Sequence, residues 1–126
     1  MGTSKTVWLA SQSPRRAQLL RELFPNIVCQ GIEGVDEKPP LGEVEYQVLE
    51  ICKKKALAAD LESQIGDYDV VIVCDTMLCD PDDSMLSLGK PFDEIEAAMM
   101  LHRLSGRRHQ VWSATGIKKL SKWKFY

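Results

Sequence analysis

The chain has 126 residues, 44% of them hydrophobic and 27% charged, with a formal net charge of −2. That is one domain's worth of ordinary globular sequence, enough to bury a core, and it excludes a disordered or collagen-like chain. The charge is segregated, at +3 over residues 1–30, −12 over 31–100 and +7 over 101–126, which is not the uniformly basic surface of a nucleic-acid binder.

Thr6 to Ala10 reads as a buried strand of β-forming residues. Ser11-Gln12-Ser13-Pro14 breaks it: Pro14 suits a first helical position and Ser13 before it an N-cap. Ala17, Leu19, Leu20, Leu23 and Phe24 then follow at helical spacing, giving a helix over about 14–24. Ile27 to Gln30 is a short second strand. A loop over 31–42, punctuated by Gly31, Gly34, Pro39, Pro40 and Gly42, leads to a second helix over about 43–62. Val44, Val48, Ile51, Cys52, Lys55 and Ala59 share one stripe of that helix.

Asp69 to Cys74 is a near-continuous apolar run, as expected of a strand covered on both faces. Met77 to Leu88 reads as a hairpin around Asp80-Pro81-Asp82-Asp83, and Gly89-Lys90-Pro91 as a loop. A third helix begins near Asp93, where Glu96 completes a capping-box pattern, and ends before Ser105-Gly106. His109 to Ile117 alternates weakly as a strand. Residues 118–126 show no clear period. The order strand, helix, strand, helix, strand, hairpin, helix, strand indicates an α/β fold with a mixed sheet.

No apolar run reaches the roughly 18–20 residues of a membrane helix, and Val7 to Ala10 is too short for a signal-peptide core, so a cytoplasmic protein is expected. Cys29, Cys52, Cys74 and Cys79 form no CxxC pair, and the histidines are His102 and His109 alone. A structural zinc site is not expected, and four reduced thiols are. Cys74 and Cys79 would flank a turn and could touch.

Four places could carry chemistry. At the first strand-to-helix junction, Ser11, Ser13, Arg15 and Arg16 combine hydroxyls, free backbone N–H groups and two guanidinium groups, which suits a phosphate; an N-cap with two surface arginines is the alternative. Asp75-Thr76 follows a strand end, where ligands bind in open α/β sheets and a carboxylate can activate water or hold Mg²⁺; a turn-forming Asp is the alternative. Lys90 in its rigid loop could hold a phosphate as a point charge, although the segment is no P-loop. Glu37 is followed by Lys55 on the inner stripe of the second helix, where the ammonium either meets an anion or snorkels to water.

These segments together resemble one family. Leu9-Ala10-Ser11-Gln12-Ser13-Pro14-Arg15-Arg16 is similar to the N-terminal signature of the Maf-like nucleoside triphosphate pyrophosphatases. The likeness continues in order through Asp36-Glu37, Lys55-Ala56, Cys74-Asp75-Thr76, Gly89-Lys90-Pro91 and Leu104-Ser105-Gly106-Arg107 with His109 and Val111. It implies a Maf/ITPase-like twisted mixed sheet with flanking helices over residues 1–117, a second lobe that is incomplete, and a divergent basic tail over 118–126. It implies hydrolysis of a nucleoside triphosphate, modified or pyrimidine, to the monophosphate and pyrophosphate with Mg²⁺ or Mn²⁺. Ser11, Ser13, Arg15, Arg16 and Thr76 would bind substrate. Lys55 and Lys90 would neutralise the triphosphate, Asp75 would activate water or hold the metal, and Glu37 would hold the metal. Family members are often dimeric, which leaves a homodimer open. The family's later Gly-Ala-Tyr-x-Ile-Gln-Gly segment has no counterpart. A catalytically impaired relative that binds nucleotide or a partner is the alternative reading.

Overall fold

A computed structural model describes residues 6–11, 14–35, 38–88, 93–106 and 110–126, except the side chains of Glu96 and Arg103. Its centre is a mixed sheet. Val7–Leu9 (β1) is paired in parallel with Ile27–Cys29 (β2) on one edge and with the start of Val70–Cys79 (β3) on the other. All three residues of β1 are buried, which accounts for its unbroken apolar sequence. β3 runs antiparallel to Gln110–Lys119 (β5) along ten residue pairs, and β5 pairs with Lys122–Phe125 (β6). Ser87–Leu88 (β4) pairs with Leu78 and Cys79.

Among the described residues three α-helices connect the strands. Pro14–Leu23 (α1) joins β1 to β2, Val44–Asp60 (α2) precedes β3, and Glu94–Leu104 (α3) returns from β4 to β5. α1 starts at its proline, whose missing N–H has no helical partner to lose there. α2 packs Val48, Cys52, Ala56 and Ala59 onto Trp8, Val71, Val73 and Ala114. α1 packs Ala17, Leu20 and Phe24 onto Val7, Leu9, Val70 and Ile72 on the opposite face. Because side chains alternate along a strand, odd positions of β3 face α2 and even positions face α1.

Three expectations change. β3 does not end at Cys74 but continues to Cys79, because β5 pairs with it throughout. The hairpin after it is correspondingly short, with Leu78–Cys79 and Ser87–Leu88 as its arms. Cys74 and Cys79 therefore sit five residues apart on one strand, roughly 16 Å along it and on opposite faces, and all four thiols are free. The segment read as aperiodic holds β6. Trp123 and Phe125 turn toward the α2 face and join its core, while Lys122 and Lys124 are exposed. Four residues are too few for that alternation to stand out in sequence. Asp60 at the end of α2 anchors the strand by accepting from Lys118 Nζ at 2.6 Å and Trp123 Nε1 at 3.0 Å.

Candidate active site

The sheet is notched. On the edge of β3 away from β5, β1 covers Val70 to Ile72 and β4 covers Leu78 and Cys79. Val73 to Met77 have no strand partner on that edge among the described residues. The last β1 contact is the Ala10 N–H donating to the Ile72 carbonyl at 2.9 Å. Residues 75 and 76 thus lie inside a strand yet just beyond the carboxyl end of its parallel neighbour. That is the position where open α/β sheets bind ligands.

Asp75 is on the α2 side of the notch. Lys55 reaches it from the fourth turn of α2, with Nζ 3.1 Å from Asp75 Oδ1 and 3.1 Å from the Cys74 carbonyl oxygen. The side chains are 18% and 13% exposed, so the pair is largely withdrawn from water. Lys55 therefore meets an anion rather than snorkelling past the stripe. Removing either partner would leave an uncompensated charge in a poorly solvated place. Asp75 Oδ2 is buried and has no hydrogen-bond partner among the described residues. A buried carboxylate oxygen left bare is costly, and a cation or a water held for reaction is the kind of group that satisfies it.

That oxygen bears on the implied divalent metal. Among the described residues no group of three or more His, Cys, Asp or Glu is placed to hold a metal ion. Mg²⁺ is commonly held through one or two carboxylates, with substrate phosphates and waters completing its shell. One bare carboxylate oxygen close to the Ser11 and Arg16 junction fits that mode.

Arg16 and Thr76 are on the α1 side. Arg16 Nη2 donates to Thr76 Oγ1 at 2.8 Å and Nη1 reaches Ser11 Oγ at 3.4 Å. Thr76 Oγ1 is in turn 3.0 Å from Ser113 Oγ on β5, the residue directly opposite it in register. Arg15 is exposed on α1, whereas Arg16 is half-buried. Below this cluster an open groove of about 580 Å³ runs between α1 and β5, lined by Leu20, Phe24, Ile72, Cys74 and Ile117 among others. Burial pushes the Cys74 thiol up from its ordinary value, with Arg16 and Lys55 pulling the other way. A thiol held protonated is a poor nucleophile.

The structure thus brings Ser11, Arg16, Lys55, Asp75 and Thr76 to one notch, with Arg15 on the exposed side of the adjoining helix. Ser13, Glu37, Lys90 and His109 lie outside the described residues. Ser113 was not singled out by sequence. Only the long-range register of β3 on β5 sets it opposite Thr76.

A sequence model of the family described as Maf-like protein matches residues 6–124. The dTTP/UTP pyrophosphatase of Caldanaerobacter subterraneus subsp. tengcongensis is 40% identical over 98% of this chain and 56% of its own length. That of Bacillus velezensis is 41% identical over 91% of this chain and 58% of its own length. The chain therefore spans under three-fifths of these curated relatives. Among solved structures, the Staphylococcus aureus Ham1 protein superposes with a TM-score of 0.60 over 97% of this chain and 68% of that one, at 18% identity, which is a likeness of fold. A family match across residues 6–124 means that the chain belongs to the Maf-like family.

Proposed function

We propose that the notch is the phosphate-handling site of a nucleoside triphosphate pyrophosphatase, which splits a triphosphate between its α- and β-phosphates. The names of the relatives point to pyrimidine substrates, dTTP and UTP. The observation that carries the reading is Asp75: one carboxylate oxygen is held by Lys55 and the other is buried and bare, across β3 from the Arg16–Thr76 contact.

Water attacks phosphorus, the bridging oxygen leaves with pyrophosphate, and the proton lost by water goes to a base. Asp75 Oδ2 is the acceptor for that proton. Lys55 fixes the carboxylate through Oδ1 and adds positive charge beside the reacting phosphates. Arg15 and Arg16 hold phosphate oxygens at the start of α1, where backbone N–H groups also point outward. Ser11, with Ser13 and Lys90, completes the anion site. A divalent cation, Mg²⁺ or Mn²⁺, would be held by Glu37, and by Asp75 where its carboxylate serves as metal ligand instead of base, and would supply neutralisation of the triphosphate. The four free thiols suit a reducing compartment, so action on the cytoplasmic nucleotide pool completes the reading.

The test is pyrophosphate release from dTTP, UTP and a panel of other triphosphates with Mg²⁺ or Mn²⁺. Release that favours the pyrimidine nucleotides is expected. No release from any of them, by protein with a cooperative thermal transition, rejects the proposal. Calorimetric binding of UTP without turnover would replace it with a nucleotide-binding module.

A further inference from the structure

We propose that Ser113 is a positioning residue of this site: through Thr76 it sets the guanidinium of Arg16 at the edge of the notch. The inference rests on the phosphate reading of the notch and assigns part of its machinery to β5, an element that none of the motifs singled out as candidate site residues belongs to.

The argument begins with donor inventory. A guanidinium can only donate, so in the 2.8 Å contact Thr76 Oγ1 must accept from Arg16. Accepting from a cation polarises the threonine O–H and leaves its proton available. Ser113 Oγ, 3.0 Å away, is the oxygen placed to receive it. The chain then runs Arg16 to Thr76 to Ser113, and the serine O–H remains as its last donor.

Geometry explains why the last link matters. Thr76 and Ser113 are register partners of two antiparallel strands, on the face that α1 covers. A threonine carries a hydroxyl and a methyl on one carbon, so rotation about χ1 exchanges one for the other. The bond to Ser113 selects the rotamer that offers the hydroxyl to Arg16. Without it the hydroxyl rotamer is held by the Arg16 contact alone. Arg16 is anchored on α1 and Ser113 on β5, so the chain also ties the start of that helix to the middle of the sheet. Ser113 itself is exposed, so its hydroxyl has little packing role and its loss costs the fold little.

The experiment compares Ser113→Ala with Ser113→Thr, which keeps the oxygen. Binding of inorganic pyrophosphate and of UTP is measured by calorimetry, turnover by pyrophosphate release, and the Arg16 Nε–H signal by NMR of the nucleotide-free protein. In Ser113→Ala, KM should rise and pyrophosphate affinity fall about three- to tenfold, the loss of one hydrogen bond's worth of ordering, with kcat within about twofold because the same charge is met in ground and transition states. The Arg16 signal should shift or broaden. Ser113→Thr should restore all three readouts. An unchanged Arg16 signal in Ser113→Ala overturns the proposal, as does a fall in kcat with KM intact, or a Ser113→Thr variant as weak as the alanine. If the wild type releases no pyrophosphate from any triphosphate, the enzymatic reading fails by itself. The role of Ser113 is then decided by the Arg16 signal and the pyrophosphate affinity.

Discussion

The two faces of the sheet are finished differently. On the α2 face, a 17-residue helix and the Trp123 and Phe125 side chains of β6 close over Trp8, Val71, Val73 and Ala114. Asp75 and Lys55 stand at the margin of this closed layer. On the other face α1 covers only the half of the sheet nearest β1, and a groove stays open beside β5. Arg16, Thr76 and Ser113 stand at the margin of that open layer. Adjacent residues of one strand, 75 and 76, therefore meet opposite surroundings. A general base gains from a dry place with one fixed counter-ion, and a phosphate grip must admit substrate from water. On the proposed reading, a single strand in a notched sheet would provide both one residue apart.

The largest effect that tests this division is on turnover. Asp75→Asn keeps the shape of the side chain and removes the proposed proton acceptor. Pyrophosphate release should fall on the order of 10³-fold while the thermal transition persists. A variant that retains a tenth of the activity would move the base to another residue.

Lys55→Met probes the closed side through stability. It leaves the Asp75 carboxylate largely buried without its cation and should cost about 3 kcal/mol in urea denaturation. The double variant Lys55→Met/Asp75→Asn should recover most of that loss, because no lone charge remains. Equal losses in the single and double variants would mean that Lys55 contributes packing and not charge.

The Cys52 thiol tests the closed face by pH. Burial raises Cys52, in the α2-face core, from 9.0 to about 11. Below pH 9 the thiol is protonated in the folded and unfolded chains alike. Above it the unfolded chain ionises first, so stability falls from about pH 9 to about pH 11, by roughly 2–3 kcal/mol in total. The stability difference between the wild type and Cys52→Ala should shrink by that amount across the window, the lysines and tyrosines cancelling in the comparison. A constant difference would show that water reaches the closed layer.

Gly116→Ala strains the same layer from β5. An added Cβ would stand 2.8 Å from Phe125 Cε1 and 2.9 Å from Val73 Cγ2. Destabilisation of about 2 kcal/mol is expected by urea denaturation. Phe125→Leu in the same chain should relieve part of it, which a double-mutant cycle measures. Additive losses would place the phenylalanine ring elsewhere.

What could be read from sequence divides along the same line. Local periodicity disclosed β1, α1 and the α2 stripe, because burial of one helix face or one central strand writes itself into neighbouring residues. It also singled out Asp75, although for a strand read as ending at Cys74. The long reach of β3 depends on β5, some forty residues away, and no local pattern records that pairing. For the same reason the sequence left Lys55 between water and an anion, gave Ser113 no distinction, and passed over the Trp123 and Phe125 alternation in β6. The closed face was legible through its apolar stripe. The open face is built from single hydroxyls brought together by register.

The smallest effect concerns the turn that connects the two finishes, since its hairpin turns Trp123 and Phe125 to one face and Lys122 and Lys124 to the other. Lys119 and Lys122 are paired, with Leu120 and Ser121 between them at φ 52° and 66°. Two successive left-handed residues define the type I′ turn that suits the twist of a two-residue hairpin, and Asn-Gly is its preferred sequence. Leucine has no side-chain hydrogen bond to offset the left-handed cost, and Leu120 is 93% exposed, so it gains nothing from packing. Leu120→Asn with Ser121→Gly should therefore stabilise the chain by about 1 kcal/mol, less than the relieved strain because glycine also loosens the unfolded chain. The urea midpoint should rise with an unchanged slope. Turnover should not move, because the turn lies at the far end of β5 from Ser113. A lower midpoint would mean that Leu120 holds the hairpin through a contact and that β6 closes the α2 face by more than its two aromatic rings.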